Sequence, residues 1–211
     1  MKIIYYRIGD NVYVQPISRK DSMLAITNCK MEKEVQKILA QFKGKQKSLN
    51  YYLAGFVDGE GSFSVAIIKT DMQKFGWAIN PCFQVYQHEK HREILEVFKF
   101  VFQTGTIYRK SGIHPVLNYS INSMRGITEK VIPFFDKYPL IVKGETYQKF
   151  REIVFAMQRK EHSTIGGFKR LVDIAYAMNQ QGKGRRRTRE EIFSTLPELS
   201  TRLPDGQASK H

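Results

Sequence analysis

Two carboxylates and two glycines in one short run carry the clearest chemical signal in this chain. The run is Leu53-Ala54-Gly55-Phe56-Val57-Asp58-Gly59-Glu60-Gly61, apolar and helical in pattern at its start and followed by strand-like alternation. Asp58 and Glu60 therefore fall at a helix C-terminus, where negative charge opposes the helix dipole and calls for a cation. Carboxylate oxygens are also the ligands that hard divalent metals prefer. Gly55 and Gly59 lie four residues apart, and with Ala54 they leave one helical face nearly bare, so that another backbone can approach closely. Each glycine costs a helix about 1 kcal/mol relative to alanine, and two of them require a reason.

The surrounding elements can be read from periodicity. Ser48 is the expected N-cap of the helix that runs into this motif. Beyond Gly61, Phe63, Val65 and Ile67 point one way, while Ser62, Ser64, Ala66 and Ile68 point the other. After a polar turn over Asp71 to Lys74, a second strand is expected from Trp77 to Gln87, with Phe83 and Val85 alternating with Cys82, Gln84 and Tyr86. Ile94, Leu95, Phe98, Val101 and Phe102 predict a helix over His88 to Phe102 with a glycine stop near Gly105. Strands at Thr106 to Lys110 and Val116 to Asn122, around a Ser111-Gly112 turn, lead to helices near Thr128 to Asp136 and Glu145 to Lys160. The order is αββαββα, an α+β arrangement.

Flanking this core of residues 48 to 180, residues 1 to 47 read as an N-terminal extension. It has a short alternating stretch bearing Tyr5, Tyr6 and Tyr13, a helix over Met31 to Ala40, and a basic spacer from Lys43 to Lys47. Within the core, Phe168 to Asn179 suits one more helix. Residues 181 to 211 read as a basic linker and tail, with a capping-box pattern at Thr188 to Glu191 and frayed residues from about Thr201.

With 34 Lys+Arg against 20 Asp+Glu, the formal charge is +14, which points to a polyanionic partner and, in a chain with 14 Phe and 11 Tyr, to nucleic acid. The longest apolar runs, such as Val131 to Phe135, are far short of the roughly 20 residues of a membrane span, so no membrane role is expected. The N-terminus carries neither a signal-peptide pattern nor a transit-peptide pattern, so a chain that works where it is made and is not secreted is expected. Cys29 and Cys82 are far apart and lack zinc-type spacing, which argues against a zinc module or a disulfide framework and for a reducing compartment.

The run Leu53 to Gly61 resembles the nine-residue signature of LAGLIDADG homing endonucleases. The similarity continues through Ser62-Phe63-Ser64-Val65, Phe83-Gln84-Val85-Tyr86-Gln87 and Thr104-Gly105-Thr106-Ile107, and covers about residues 48 to 160. In character the chain is most similar to the single-motif, intron-encoded enzymes of algal chloroplast ribosomal RNA genes. Leu203-Pro204-Asp205-Gly206 does not make a second motif. The resemblance implies a homodimer joined through Leu53, Ala54, Gly55, Val57, Asp58 and Gly59, which would bring two Glu60 carboxylates together beneath a DNA-straddling saddle.

It further implies Glu60 as ligand to Mg²⁺ or Mn²⁺, with the Gly59 carbonyl as auxiliary ligand. Gln87 matches the water-organising position and Lys143 the active-site lysine; His91 falls where relatives carry a basic residue. Asp58 is the structural acid of the motif. If the sheet reads the major groove, parity nominates Ser62, Ser64, Ala66, Ile68, Asn80, Cys82, Gln84, Tyr86, Asn118 and Ser120, with Arg109 and Lys110 near a turn. Arg185-Arg186-Arg187, with Lys183 and Arg189, suggests phosphate anchoring.

The function implied is a site-specific double-strand break in a long pseudo-palindromic DNA target, promoting intron mobility in an organelle (chloroplast or mitochondrion) or in a bacterial cytoplasm. Two alternatives share the scaffold. One is a maturase that binds intron RNA and assists splicing; the other is a DNA-binding protein without nuclease chemistry.

Overall fold

A computed structural model describes residues 3–8, 11–16, 31–110, 115–178 and 185–197, the first two segments as backbone only. Strands β1 (Ile3–Ile8) and β2 (Asn11–Pro16) pair as an antiparallel hairpin. Helix α1 spans 31–41, as its apolar spacing predicts. Val35 joins the main core, and Ile38, Leu39 and Phe42 pack against it.

The central unit then follows the predicted order: α2 (Gln46–Glu60), β3 (Gly61–Lys69), β4 (Trp77–His88), α3 (Arg92–Phe102), β5 (Thr106–Arg109) and β6 (Val116–Ile121). After them come α4 (Met124–Gly126), a π-helical turn (Ile127–Val131), α5 (Ile132–Lys137), α6 (Gly144–Gln158), α7 (Ile165–Tyr176) and α8 (Arg189–Ser194). The second strand pair closes the unit as αββαββα. Among the described residues no helix is long and apolar enough to cross a membrane.

The four strands form one antiparallel sheet in the order β3-β4-β6-β5. Alternation gives it two unlike faces. Phe63, Val65, Phe83, Val85, Leu117, Tyr119 and Ile121 are buried on one face, which α2, α3, α6 and α7 cover. Phe63 sits at the hub, its ring centroid 5.3 Å from those of Phe83, Phe135, Tyr147 and Phe150. Burial of each such ring contributes about 1.5–3 kcal/mol. This core fixes β3 against α2 and so fixes where the helix must end.

That end is sharp because Gly61 has no side chain. A Cβ there would lie 2.5 Å from the Val57 side chain and 2.7 Å from the Val57 carbonyl oxygen. The N–H of Gly61 donates to Val57 O, and the chain passes straight from helix into strand.

Several predicted boundaries move: α7, expected from Phe168, runs Ile165–Tyr176, and the helix expected from His88 begins as α3 at Arg92 after a 3₁₀ turn. α2 begins at Gln46 with Lys45 at its N-cap and no side-chain cap, so Ser48 lies inside the helix. α3 is capped by Gln103 in the left-handed region, two residues before Gly105. The Ser111-Gly112 turn, Cys29, Lys183, the Leu203 to Gly206 stretch and the tail from Thr201 lie outside the described residues.

Candidate active site and nucleic-acid interface

Helix α2 buries Leu49, Leu53, Ala54 and Val57 in the core of its own chain and turns Tyr51, Tyr52, Gly55, Gly59 and Glu60 outward. Leu53, Ala54 and Val57 were expected at a dimer interface. They belong to the intramolecular core instead, because the i, i+4 spacing that suits one face of the helix is used against the sheet. The face open to a partner is that of Gly55 and Gly59, where an added Cβ would meet nothing within 4 Å.

The C-terminus of α2 has no basic residue in its last turn. Its cation comes from the far side of the sequence: Lys143 Nζ donates to the carbonyls of Val57 at 3.0 Å and Gly59 at 3.0 Å, and also to that of Asp58. All three ammonium donors can be used on helix-end carbonyls, where positive charge complements the dipole. Asp58 returns the contact. Its carboxylate accepts the backbone N–H of Ile141 at 2.8 Å, Val142 at 3.2 Å and Lys143 at 2.9 Å. The two residues thereby lock the end of α2 to the start of α6. Asp58, expected at the interface, instead holds the 141–143 loop of its own chain, leaving Ile141 and Val142 exposed at 92% and 78%.

Glu60 is exposed, and among the described residues no hydrogen bond or ion pair engages its carboxylate. Strand pairing brings Gln87 near it: Gly61 lies opposite Val85, so the end of β4 runs beside the end of α2. The Gln87 Oε1 accepts the backbone N–H of His88 at 2.6 Å, which orients the amide and leaves its NH₂ to donate. Lys143, 83 residues after Glu60 in sequence, thus reaches the Gly59 carbonyl beside it, while Gln87 lies two residues beyond Val85, the strand partner of Gly61. His91 is exposed in a short 3₁₀ turn, its Nδ1 3.6 Å from Glu93 Oε1.

The uncovered sheet face is polar. Ser62 lies opposite Gln84, Ser64 opposite Cys82 and Ala66 opposite Asn80, while Ile68 stands exposed near the outer end. Tyr86 Oη donates to Gln84 Oε1 at 3.0 Å, and Gln84 Nε2 donates to Tyr108 Oη at 3.3 Å. The Lys110 ammonium stands 5.0 Å from the Tyr86 ring centroid. Burial pushes the Cys82 thiol up from its ordinary range, against the lowering effect of its hydrogen bond with Ser120, so this side chain stays a neutral thiol at neutral pH. Burial likewise raises the Tyr86 phenol.

Three nominated residues are placed differently. Asn118 and Ser120 share the parity of this face but are only 2% and 8% exposed. They stand on β6, an interior strand, with Asn118 Nδ2 donating to Tyr108 Oη at 2.6 Å and Ser120 Oγ 3.2 Å from Cys82 Sγ. They hydrogen-bond to the side chains of Tyr108 and Cys82 on this face and expose little of themselves. Arg109 lies opposite Leu117, a core-face residue, and its guanidinium pairs with Glu89. The residues of β5 on the polar face are Thr106 and Tyr108, opposite Ser120 and Asn118. The sequence reading missed both. The available signal was the alternation of β5 once its pairing with β6 is fixed.

An exposed carboxylate at a helix end thus lies beside the polar face of an antiparallel sheet on a strongly basic chain of the α+β class. The LAGLIDADG endonuclease family model matches residues 53–154. A homing endonuclease of Aeropyrum pernix, I-ApeII, is 30% identical over 71% of this chain and 90% of its own length. This chain belongs to the LAGLIDADG endonuclease family.

The DNA endonuclease I-CeuI of Chlamydomonas moewusii is 39% identical over 41% of this chain and 40% of its own, so the match spans less than half of that relative. Among solved structures, the archaeal intron-encoded homing endonuclease I-Vdi141I complexed with DNA superimposes with a TM-score of 0.66 at 31% identity, covering 72% of this chain and 96% of that one.

Proposed function

We propose that this chain is a divalent-metal-dependent, site-specific DNA endonuclease, intron-encoded and active as a homodimer, that cuts both strands of a pseudo-palindromic target and promotes intron mobility. The observation that carries the reading is Glu60. Among the described residues its carboxylate has no partner, and it ends a helix whose outer face is bare enough, at Gly55 and Gly59, for a second copy to approach.

The donors present suit a hard cation. Glu60 offers carboxylate oxygens, and the Gly59 carbonyl has a second lone pair beside the one Lys143 uses. Among the described residues no group of three or more His, Cys, Asp or Glu gathers in one protomer. One copy therefore supplies part of a ligand set, and a two-fold related Glu60 with phosphate oxygens would complete it. When bound, Mg²⁺ or Mn²⁺ would offset the charge that develops on the phosphate.

The remaining work falls to the chain itself. Lys143 holds the helix end, and with it Glu60, against the sheet. Gln87 presents its amide NH₂ to a water or phosphate oxygen, and the side chains on the polar face of β3 and β4, such as Ser62, Ser64, Gln84 and Tyr86, face the duplex, where amide and hydroxyl groups can read base edges.

Incubating the protein with a randomised duplex library and Mg²⁺, with Ca²⁺ as control, should yield one long pseudo-palindromic site cut only with Mg²⁺. Glu60→Gln should lower cutting by about 10³-fold, the scale of losing a main electrostatic stabiliser, with thermal midpoint and site binding retained. Undiminished cutting by that variant would refute the assignment.

A further inference from the structure

Among the described side chains the arginines divide into two groups. Arg92, Arg109, Arg125, Arg151, Arg159, Arg170 and Arg189 each pair with a carboxylate. Arg185, Arg186 and Arg187 pair with none. Unpaired arginines on a surface are ordinary; three in succession, held by specific contacts, are not.

Arg185 is the post of this segment. Its Nη1 donates to the carbonyl of Val65 on the edge strand β3 at 3.1 Å and its Nη2 to that of Ala175 on α7 at 2.5 Å, while the guanidinium lies 4.4 Å from the Tyr176 ring centroid. Two neutral carbonyls leave its charge uncompensated. Tyr176 Oη donates to the Arg187 carbonyl at 2.6 Å, and the Arg187 guanidinium stands 5.6 Å from the Trp77 ring centroid. Downstream, Trp77 Nε1 donates to Thr195 Oγ1 at 2.8 Å. The backbone that carries Arg186 is thus tied down on both sides, and Arg186 itself is exposed.

These arginines share one cleft, of about 620 Å³, with Ala66, Ile68 and Lys69 at the outer end of β3. Ala66 and Ile68 belong to the polar, uncovered face of the sheet. Glu191 also lines the cleft, but its carboxylate accepts the Thr188 N–H at 3.0 Å in a capping box. The strand supplies a ruler. Ala66 and Ile68 lie five and seven residues beyond Gly61, which at about 3.3 Å per residue is roughly 17–23 Å from the helix end. Along B-DNA that corresponds to about five to seven base pairs at roughly 3.4 Å each.

We propose that Arg186 and Arg187 form a clamp for duplex phosphates at the outer flank of each half-site, roughly five to seven base pairs from the centre, with the half-buried Arg185 as the post that positions them. The inference rests on the DNA-endonuclease reading. It assigns the segment to backbone positioning, not to base recognition.

The test is fluorescence anisotropy with a labelled duplex of arbitrary sequence, about 40 base pairs long, between about 50 and 200 mM NaCl. Each phosphate contact contributes about 0.9 to the slope of log affinity against log salt. R186A/R187A should flatten the slope by about 1.8 for each protomer engaged, and Arg186→Ala alone, which removes a side chain with no hydrogen bond or ion pair among the described residues, by about 0.9. The charge-matched control K99A/K130A, on exposed helical positions, should leave the slope unchanged. Equal flattening by both double variants would reduce the clamp to general charge and overturn it, as would wild-type slopes for both arginine variants. If the wild-type protein itself fails to bind duplex, the endonuclease reading falls and the clamp falls with it.

Discussion

At the scale of single residues, the first acid of the motif and the distant lysine exchange roles with what their types suggest. Asp58 is a carboxylate next to a proposed metal site, yet it spends both oxygens on three backbone N–H groups of the 141–143 loop. Lys143 is a cation near a proposed phosphate site, yet its ammonium caps the carbonyls that end α2. Each satisfies groups that a helix end or a tight loop leaves orphaned. Asp58→Ala should therefore cost about 1–3 kcal/mol, the scale of hydrogen bonds to a charged group, read as a lowered urea midpoint. Asp58→Asn, which keeps one accepting oxygen, should recover part of the loss. Cutting should fall further than binding in both variants, because the loop that carries Lys143 loosens. A variant with wild-type stability and reduced cutting would make Asp58 a ligand, not a positioning residue.

At the scale of elements, two tyrosines bolt helices and strands together and make the fold sensitive to alkali. Tyr119 on β6 donates to Thr104 O at 2.7 Å, and Tyr147 on α6 donates to Asp136 at 2.7 Å and Ile132 O at 3.0 Å. Burial, joined for Tyr147 by the Asp136 carboxylate, raises both phenols above the ordinary value of 10.0. An unfolded chain loses these protons near pH 10 while the folded one keeps them. The stabilisation is thus complete below pH 10 and is lost as pH rises through the raised folded values, by up to about 1.4 kcal/mol per pH unit for Tyr119. Tyr119→Phe should flatten the decline of unfolding free energy between about pH 9 and 11; an unchanged slope would show that this phenol ionises freely. Much of this architecture was legible beforehand. The period-two pattern of β3 and β4 identified both sheet faces, and the capping box at Thr188 was readable because all its parts lie within four residues. Sheet order was not legible. Nothing in the alternation of Val116 to Ile121 reveals that β6 sits between β4 and β5, where Tyr108 and Cys82 cover Asn118 and Ser120. The same gap turned attention to Arg109 in place of Tyr108. The lock between Asp58 and the 141–143 loop spans more than 80 residues, beyond any local pattern.

At the scale of the whole molecule, a single protomer presents half of what the proposed chemistry needs. It has one unpaired carboxylate at the site, no gathered ligand set among the described residues, and a helix face on which Gly55 and Gly59 hold space open. In a monomer those glycines are a pure cost of about 1 kcal/mol each relative to a good helix former. In a pair of crossed helices they permit backbone approach that any larger side chain would block. Gly55→Leu separates the two accounts because its effects have opposite signs. None of the described residues lies within 4 Å of the added Cβ, so dilute protein should unfold with equal or greater stability, by up to about 1 kcal/mol. On the proposed two-fold arrangement, association should weaken, sedimentation should shift from dimer to monomer, and cutting should disappear because two Glu60 carboxylates could not be brought together. Gly55→Ala, with a single methyl, should show the same stabilisation and a smaller loss of association. A Gly55→Leu protein that remains dimeric and active would place the two-fold contact elsewhere and leave the exposed Ile141 and Val142 as the next surface to substitute. A monomeric variant that still cuts both strands would remove the requirement for a second copy altogether.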